Sequence, residues 1–336
     1  MTIASALTAL NTDIQNARTA ITNKGGTVTV DGGSSQLATD IATIPSGGSN
    51  INVPREIVNG VYRAPTTSFT FSLPNDVTTI GDYALQSAFR FSQITSADLS
   101  SVVEVGESGL YAAFQDTPIT SLDLSSLETI GTNSLYFMCR QSSGKNLLTS
   151  INLSNLTTIN GTNAMSGAFF NNTGLTSIDL SGLTTISGTN ALNNTFAGCT
   201  NIASFDFSNL TTIGKNASAA NYSQFNSTFN NCNLATTLSF PKLEKIYCTG
   251  GTTLTYGTFA SNNRIQKMYF PKLDTITYGS GATSANQNAC KNIFYGCTAL
   301  TELHFGAANQ SAIEATAGYS TAWGLGAGNV TIYFDL

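Results

Sequence analysis

Apolar residues return along this chain in one fixed figure, Φ-x-x-Φ-x-Φ followed by Φ-x-x-Ile. Its clearest copy sets Leu175, Ile178, Leu180, Leu183 and Ile186 among Thr, Ser, Asp and Gly. The last apolar position of successive copies falls at Ile80, Val105, Ile130, Ile159, Ile186, Ile213, Ile246 and Ile276, at steps of 25, 25, 29, 27, 27, 33 and 30 residues. A period in that range marks a solenoid, in which each coil is too small to bury its apolar face alone and does so against its neighbours. The pattern predicts a mainly β fold with short helices, a stack of about eight coils over residues 69–305.

Within each coil Φ-x-x-Φ-x-Φ reads as a short strand whose alternate residues point outward. The outward residue between the last two apolar positions is, in order, Asp98, Asp123, Asn152, Asp179, Asp206, Ser239, Tyr269 and His304. Stacking brings these side chains to roughly 5 Å from one another. They read as a solvated strand face whose acids discourage edge pairing, as a candidate contact stripe for glycan or protein, or as a cation or acid/base site. Asp98 with Asp123, and Asp179 with Asp206, are expected as neighbours whose carboxylates raise one another's pKa. His304 is expected in solvent or against a ligand. Glycines such as Gly81, Gly106, Gly131 and Gly214 mark the turns, and Phe89, Phe114, Phe169, Phe196, Phe229, Phe259 and Phe294 recur in one phase, as a core ladder would. Three residues after an aromatic come Asn172, Cys199, Cys232, Asn262 and Cys297. A site that accepts Asn or Cys is a buried turn site, so the six cysteines read mostly as free core thiols, with no zinc-type spacing.

Outside the array the pattern changes. Ile3, Leu7, Leu10, Ile14, Ala17 and Ile21 follow an a/d heptad spacing, and Gly25-Gly26 ends the run. Residues 1–24 are therefore expected as a helix of roughly 30 Å that forms a short coiled coil, a homotrimer, through Ile3, Leu7, Leu10, Ile14 and Ile21. A lone amphipathic helix packed on its own domain is the alternative. Residues 25–50 read as a small attachment segment and a Ser-Gly linker. Residues 51–68 read as a capping hairpin turning at Asn59-Gly60. Residues 306–336 read as a C-terminal cap with a short helix at 307–315, a last strand at 330–334 and Trp323 packed beneath.

Composition narrows the chemistry. A net charge of −5 with charged residues at only 10% disfavours nucleic acid, which needs clustered Lys and Arg. No apolar run approaches the roughly 20 residues that cross a bilayer, so no membrane insertion is expected. One histidine leaves neither a histidine triad nor a multi-histidine metal site. No phosphate loop, dinucleotide fingerprint or nucleophile elbow is present. No enzyme activity, metal or cofactor is expected. Cleavage of a glycan would need a carboxylate pair at a defined separation, which the Asp row supplies only as a ladder.

The segments Thr195-Phe-Ala-Gly-Cys-Thr-Asn-Ile-Ala-Ser-Phe205 and Ile293-Phe-Tyr-Gly-Cys-Thr-Ala-Leu-Thr-Glu-Leu303 resemble the BspA-like, or Treponema-type, leucine-rich repeats. The resemblance implies a leucine-rich repeat solenoid and an adhesive role on a bacterial surface. The stretch Ile21-Thr-Asn-Lys-Gly-Gly-Thr-Val-Thr-Val with Leu37-Ala-Thr-Asp-Ile-Ala-Thr-Ile-Pro45 resembles attachment segments of tail and head fibre proteins from phages of gut bacteria. Neither a secretion signal nor a wall-sorting motif is recognised, which is expected of a virion protein assembled in the host cytoplasm. The expectation is a virion fibre or spike. Its partners would be other virion proteins at the N-terminus and a bacterial surface glycan or protein along the repeats. A cell-surface adhesin is the alternative, and a glycan-cleaving fibre enzyme a third reading.

Overall fold

In a computed structural model the described residues are 56–58, 61–63, 68–142, 148–215, 224–248, 258–278, 292–316, 323–325 and 330–336. The heptad residues Ile3, Leu7, Leu10, Ile14 and Ile21, and the attachment segment, lie outside them. The first described elements are β1 (Glu56–Val58) and β2 (Val61–Arg63), an antiparallel pair around Asn59-Gly60 with Val58 opposite Val61.

The repeat then lays down two kinds of strand. Those on one side are β3 (Phe69–Ser72), β5 (Ile94–Asp98), β7 (Ser121–Asp123), β9 (Ser150–Asn152), β11 (Ser177–Asp179), β14 (Thr237–Ser239), β16 (Lys267–Phe270), β18 (Glu302–Phe305) and β19 (Thr331–Phe334). On the second side lie β4 (Thr79–Ile80), β6 (Glu104–Val105), β8 (Thr129–Ile130), β10 (Thr158–Ile159), β12 (Thr185–Ile186), β13 (Thr212–Ile213), β15 (Lys245–Cys248) and β17 (Thr275–Tyr278). The second set is one eight-stranded parallel sheet, in which Ile80, Val105, Ile130, Ile159, Ile186, Ile213, Ile246 and Ile276 align in unbroken register. The eight positions of the sequence period are thus eight rungs of one sheet.

The first side divides into three parallel sheets, β3-β5-β7, β9-β11 and β14-β16-β18-β19. Residues 201–207 form no strand there, so the segment that carries Asp206 interrupts the ladder. At the far end a 3-10 turn (Ala307–Asn309) and α1 (Gln310–Glu314) precede β19. Residues 306–336 were expected to break the pattern, yet β19 pairs in parallel with β18 and adds another rung.

The third side of each coil is built from turns, and its hydrogen bonding is regular. Tyr83, Leu85, Ser87, Phe89 and Phe91 donate their amide N–H groups to Glu107, Gly109, Tyr111, Ala113 and Gln115 of the next coil, at 2.8–3.0 Å. The residues between them close tight turns, with Ala84 N–H on Gly81 O, Gln86 on Tyr83 O and Ala88 on Leu85 O. Alternation therefore gives successive amides a partner within the coil or in the next one, as a buried backbone requires. Every second turn has a positive φ at its third residue, at Tyr83, Ser87 and Phe91, at Ser108, Ala112 and Asp116, and at Asn163, Gly167 and Asn171.

Inside, the aromatics form the expected ladder: Phe89, Phe114, Phe169, Phe196, Phe229, Phe259 and Phe294 are buried. Phe89 stacks on Phe114 at 5.3 Å between ring centroids and Phe169 on Phe196 at 5.8 Å. Cys139 replaces the aromatic in the third coil, since its N–H reaches Ala168 O in the phase of Phe114 on Met138 O. Trp323 is fully buried at the C-terminal end, 6.0 Å from Phe294.

The turn site three residues after the aromatic behaves as its composition predicts. Asn172 Nδ2 donates to Cys139 O at 2.7 Å, and the Sγ–H groups of Cys199, Cys232 and Cys297 donate to Phe169, Phe196 and Phe259 carbonyls at 3.0–3.1 Å. Asn262 Nδ2 reaches Phe225 O and Phe259 O. Amide and thiol fill one rung and perform one task, tying a coil to the carbonyl of its predecessor. Cys139, Cys199, Cys232 and Cys297 are all buried free thiols.

Candidate binding surface

On the strand side, stacking sets the stripe residues where the alternation requires. Asp98 lies opposite Asp123, Asn152 opposite Asp179, and Ser239, Tyr269 and His304 follow one another across β14, β16 and β18. Asp206 projects from the interrupted segment and is exposed like Asp98, Asp123, Asn152 and Ser239, while Asp179 and Tyr269 are half-buried.

The acids have a local task that explains their place. Asp98 Oδ1 accepts the N–H of Ser100 at 3.0 Å, Asp123 that of Ser125 at 2.9 Å, Asp179 that of Ser181 at 2.9 Å and Asp206 that of Ser208 at 2.8 Å. Asn152 Oδ1 does the same for Ser154 N–H at 2.9 Å. Each is an Asx turn, in which a short polar side chain caps the backbone two residues on and steers the chain out of its strand. The expected rise in carboxylate pKa is therefore corrected for Asp98. Hydrogen bonds from the Ser100 side chain and backbone hold its carboxyl below the usual range. The Asp-x-Ser spacing carried this signal in the sequence and was read only as an outward row.

His304 also departs from expectation. Expected in solvent or against a ligand, it is only 9% exposed. Tyr269 and Tyr333 stack on its two faces, each with ring centroids 4.6 Å away. Its Nε2 meets Glu302 Oε2 at 2.9 Å, its Nδ1 meets Asp335 Oδ1 at 3.0 Å, and Lys267 Nζ holds the other Glu302 oxygen at 2.9 Å. Burial pulls the imidazole pKa down, and the hydrogen bonds to Glu302 and Asp335 outweigh it, so His304 sits above its ordinary value. Hydrogen bonds from His304 and then Lys267 hold Glu302 low. With both ring nitrogens facing carboxylates, the protonated form suits the site. His304 is a clamp across β16, β18 and β19.

The turn side carries a second surface. Tyr111 and Tyr136 stack in neighbouring coils at 5.1 Å, and Tyr136 tilts against Phe137 at 4.1 Å. Arg140 lies over the Phe137 ring at 4.7 Å and the Phe170 ring at 5.6 Å, and Arg90 lies over Phe91 at 4.7 Å. Phe91 is 61% exposed and Tyr83 53%. Beyond the fourth coil the same side presents Asn193, Asn194, Asn230 and Asn231. The 25-residue step between Tyr111 and Tyr136 was the available signal.

With parallel coils, an internal aromatic ladder and an Asn/Cys rung in place, the comparison with known proteins is direct. The family described as BspA type Leucine rich repeat region matches in six copies, over residues 55–160 and 144–246, more than half of the chain. The chain belongs to this family. Its BspA-type array runs past the matched residues, since β17 continues the same eight-stranded sheet. Among solved structures the chain is similar to the crystal structure of the T. pallidum leucine-rich repeat protein, at 17% identity over 70% of this chain and 68% of that one, with a TM-score of 0.25. No curated protein matches.

Proposed function

We propose that this BspA-type protein is a fibre or spike of a phage virion. Its N-terminal residues attach it to the particle as a trimer, and its repeats bind a glycan or protein on the bacterial surface. The observation that carries the virion part is the likeness of residues 21–45 to fibre attachment segments. The binding part is supported by the family and by the long, regular outer faces that a stack of coils presents. The strand stripe from Asp98 to His304 is one contact surface for the receptor, although its acids also cap turns.

Mass spectrometry of purified virions tests this. Peptides of the chain in the particle fraction, at a ratio to capsid protein that survives density-gradient purification, are the expected result. Peptides confined to a bacterial envelope fraction would instead establish the second reading, a cell-surface adhesin, which the repeat family favours. Shortening of a host polysaccharide by the purified chain would turn the assignment toward a glycan-cleaving fibre.

A further inference from the structure

The turn side holds two arginines in an arrangement that surface charges seldom adopt. Main-chain bonds from Phe91 to Gln115 O, Asp116 to Arg140 O and Gln141 to Phe170 O place Arg90, Gln115, Arg140 and Phe170 on one rung of four successive coils. Arg140 is flanked by Phe137 and Phe170, and Arg90 lies on Phe91. A guanidinium held over a ring by cation–π attraction keeps N–H groups available for a carboxylate. Among the described residues neither arginine has an ion pair or a side-chain hydrogen bond. The nearby Asp116 carboxylate is engaged, with Oδ1 on Ser142 N–H and Oδ2 on Gln115 Nε2 at 3.2 Å. In a chain of net charge −5, two guanidiniums held over rings and, among the described residues, without an ion pair are suited to an acidic ligand.

We propose that the Arg90–Arg140 rung binds an acidic glycan laid along the solenoid axis, one carboxylate to each guanidinium. The proposal rests on the surface-binding reading above and names the partner's chemistry and a second face. Two coils separate the arginines, about 10 Å at strand spacing. A polysaccharide with one uronate in every two sugars presents carboxylates at about that interval. An extended acidic peptide presents same-side carboxylates every roughly 7 Å, out of step with the rung. The exposed Phe91 ring and the half-buried Phe137 and Phe170 add apolar edges for sugar C–H groups.

The test is titration of the full chain with hyaluronan fragments, in which glucuronate alternates with a neutral sugar, against dextran and polyglutamate. Hyaluronan is expected to bind, to lose affinity as salt rises, and to bind at least tenfold more weakly to the R90Q/R140Q chain. Dextran is expected not to bind. Arg140→Lys, which keeps charge and loses the fork, is expected to fall between. Thermal melts of the variants should match wild type, since both side chains reach solvent. Absence of hyaluronan binding, equal binding by R90Q/R140Q, or tighter binding of polyglutamate would overturn the proposal. Adsorption to cells of the bacterium that yields the virions separates the two claims. Wild-type adsorption that R90Q/R140Q retains in full sinks this site alone. A wild-type chain that does not adsorb sinks the surface-binding reading.

Discussion

The Asn/Cys rung shows how one position serves one bond with two chemistries. An amide or a thiol donates to a main-chain carbonyl of the preceding coil, and the thiols are sealed in. Burial pushes the Cys232 and Cys297 thiols up to about 12, and Cys139 and Cys199 are raised by the same cause. A thiolate is the reacting form. Cys139, Cys199, Cys232 and Cys297 should therefore resist iodoacetamide at pH 8 in the native chain and be modified fully in guanidinium. Peptide mapping reads this, and native labelling at any of the four would contradict the rung. His304 supplies a second check at this scale. Its folded pKa lies above the unfolded value of about 6.5, so its stabilisation is complete below that pH and is lost as pH rises through the folded value. Melting temperature should fall as pH rises above about 6.5 in the wild type, and His304→Gln should be less stable in acid and flatter as pH rises. The rung was legible from the sequence because Asn and Cys alternate in one phase. The clamp was not, because its Asp335 partner lies 31 residues away, just past a strand whose parallel docking no local pattern announces.

At the scale of the element, strands and turns differ in how openly the sequence declares them. The Thr-Ile strands repeat in strict register and were legible. The turn ladder was hidden, because its positive-φ positions hold Tyr83, Ser87, Phe91 and Ala112 as readily as Asn or Gly. For an L-residue that conformation costs about 1–2 kcal/mol, and the ladder sustains it because each turn is bonded on both sides to its neighbours. Relief should follow where the side chain contributes little. Ser87→Gly removes a half-buried hydroxymethyl at φ 53°. After the entropic cost of glycine it is expected to stabilise the fold by up to about 1 kcal/mol. Gly198→Ala is expected to do the reverse, since φ is +79° there and an added Cβ would run into Asn171 Oδ1 of the preceding coil. Urea melts of the two variants should move in opposite directions.

Across the whole molecule, a solenoid multiplies surface rather than building a pocket, and this shapes what binding to it can achieve. Each rung offers a few side chains: an aspartate or other short polar or aromatic residue on one side, an aromatic, arginine or asparagine on the other. Contact energies of that size give weak attachment per chain. Strong attachment to a cell then requires several chains held together, which is the task proposed for the heptad residues Ile3, Leu7, Leu10, Ile14 and Ile21. Linking three weak sites raises avidity by 10²–10⁴ without a new contact, provided the receptor recurs within reach. The full chain should sediment at micromolar concentration with three times the mass of the 35.2 kDa protomer. Removal of residues 1–50 should give a monomer whose melting temperature is unchanged. That monomer should bind a soluble receptor fragment as tightly as the full chain does, yet adsorb to cells at least a hundredfold more weakly. If both forms adsorb alike, attachment comes from single-site affinity and the trimer has no part in it.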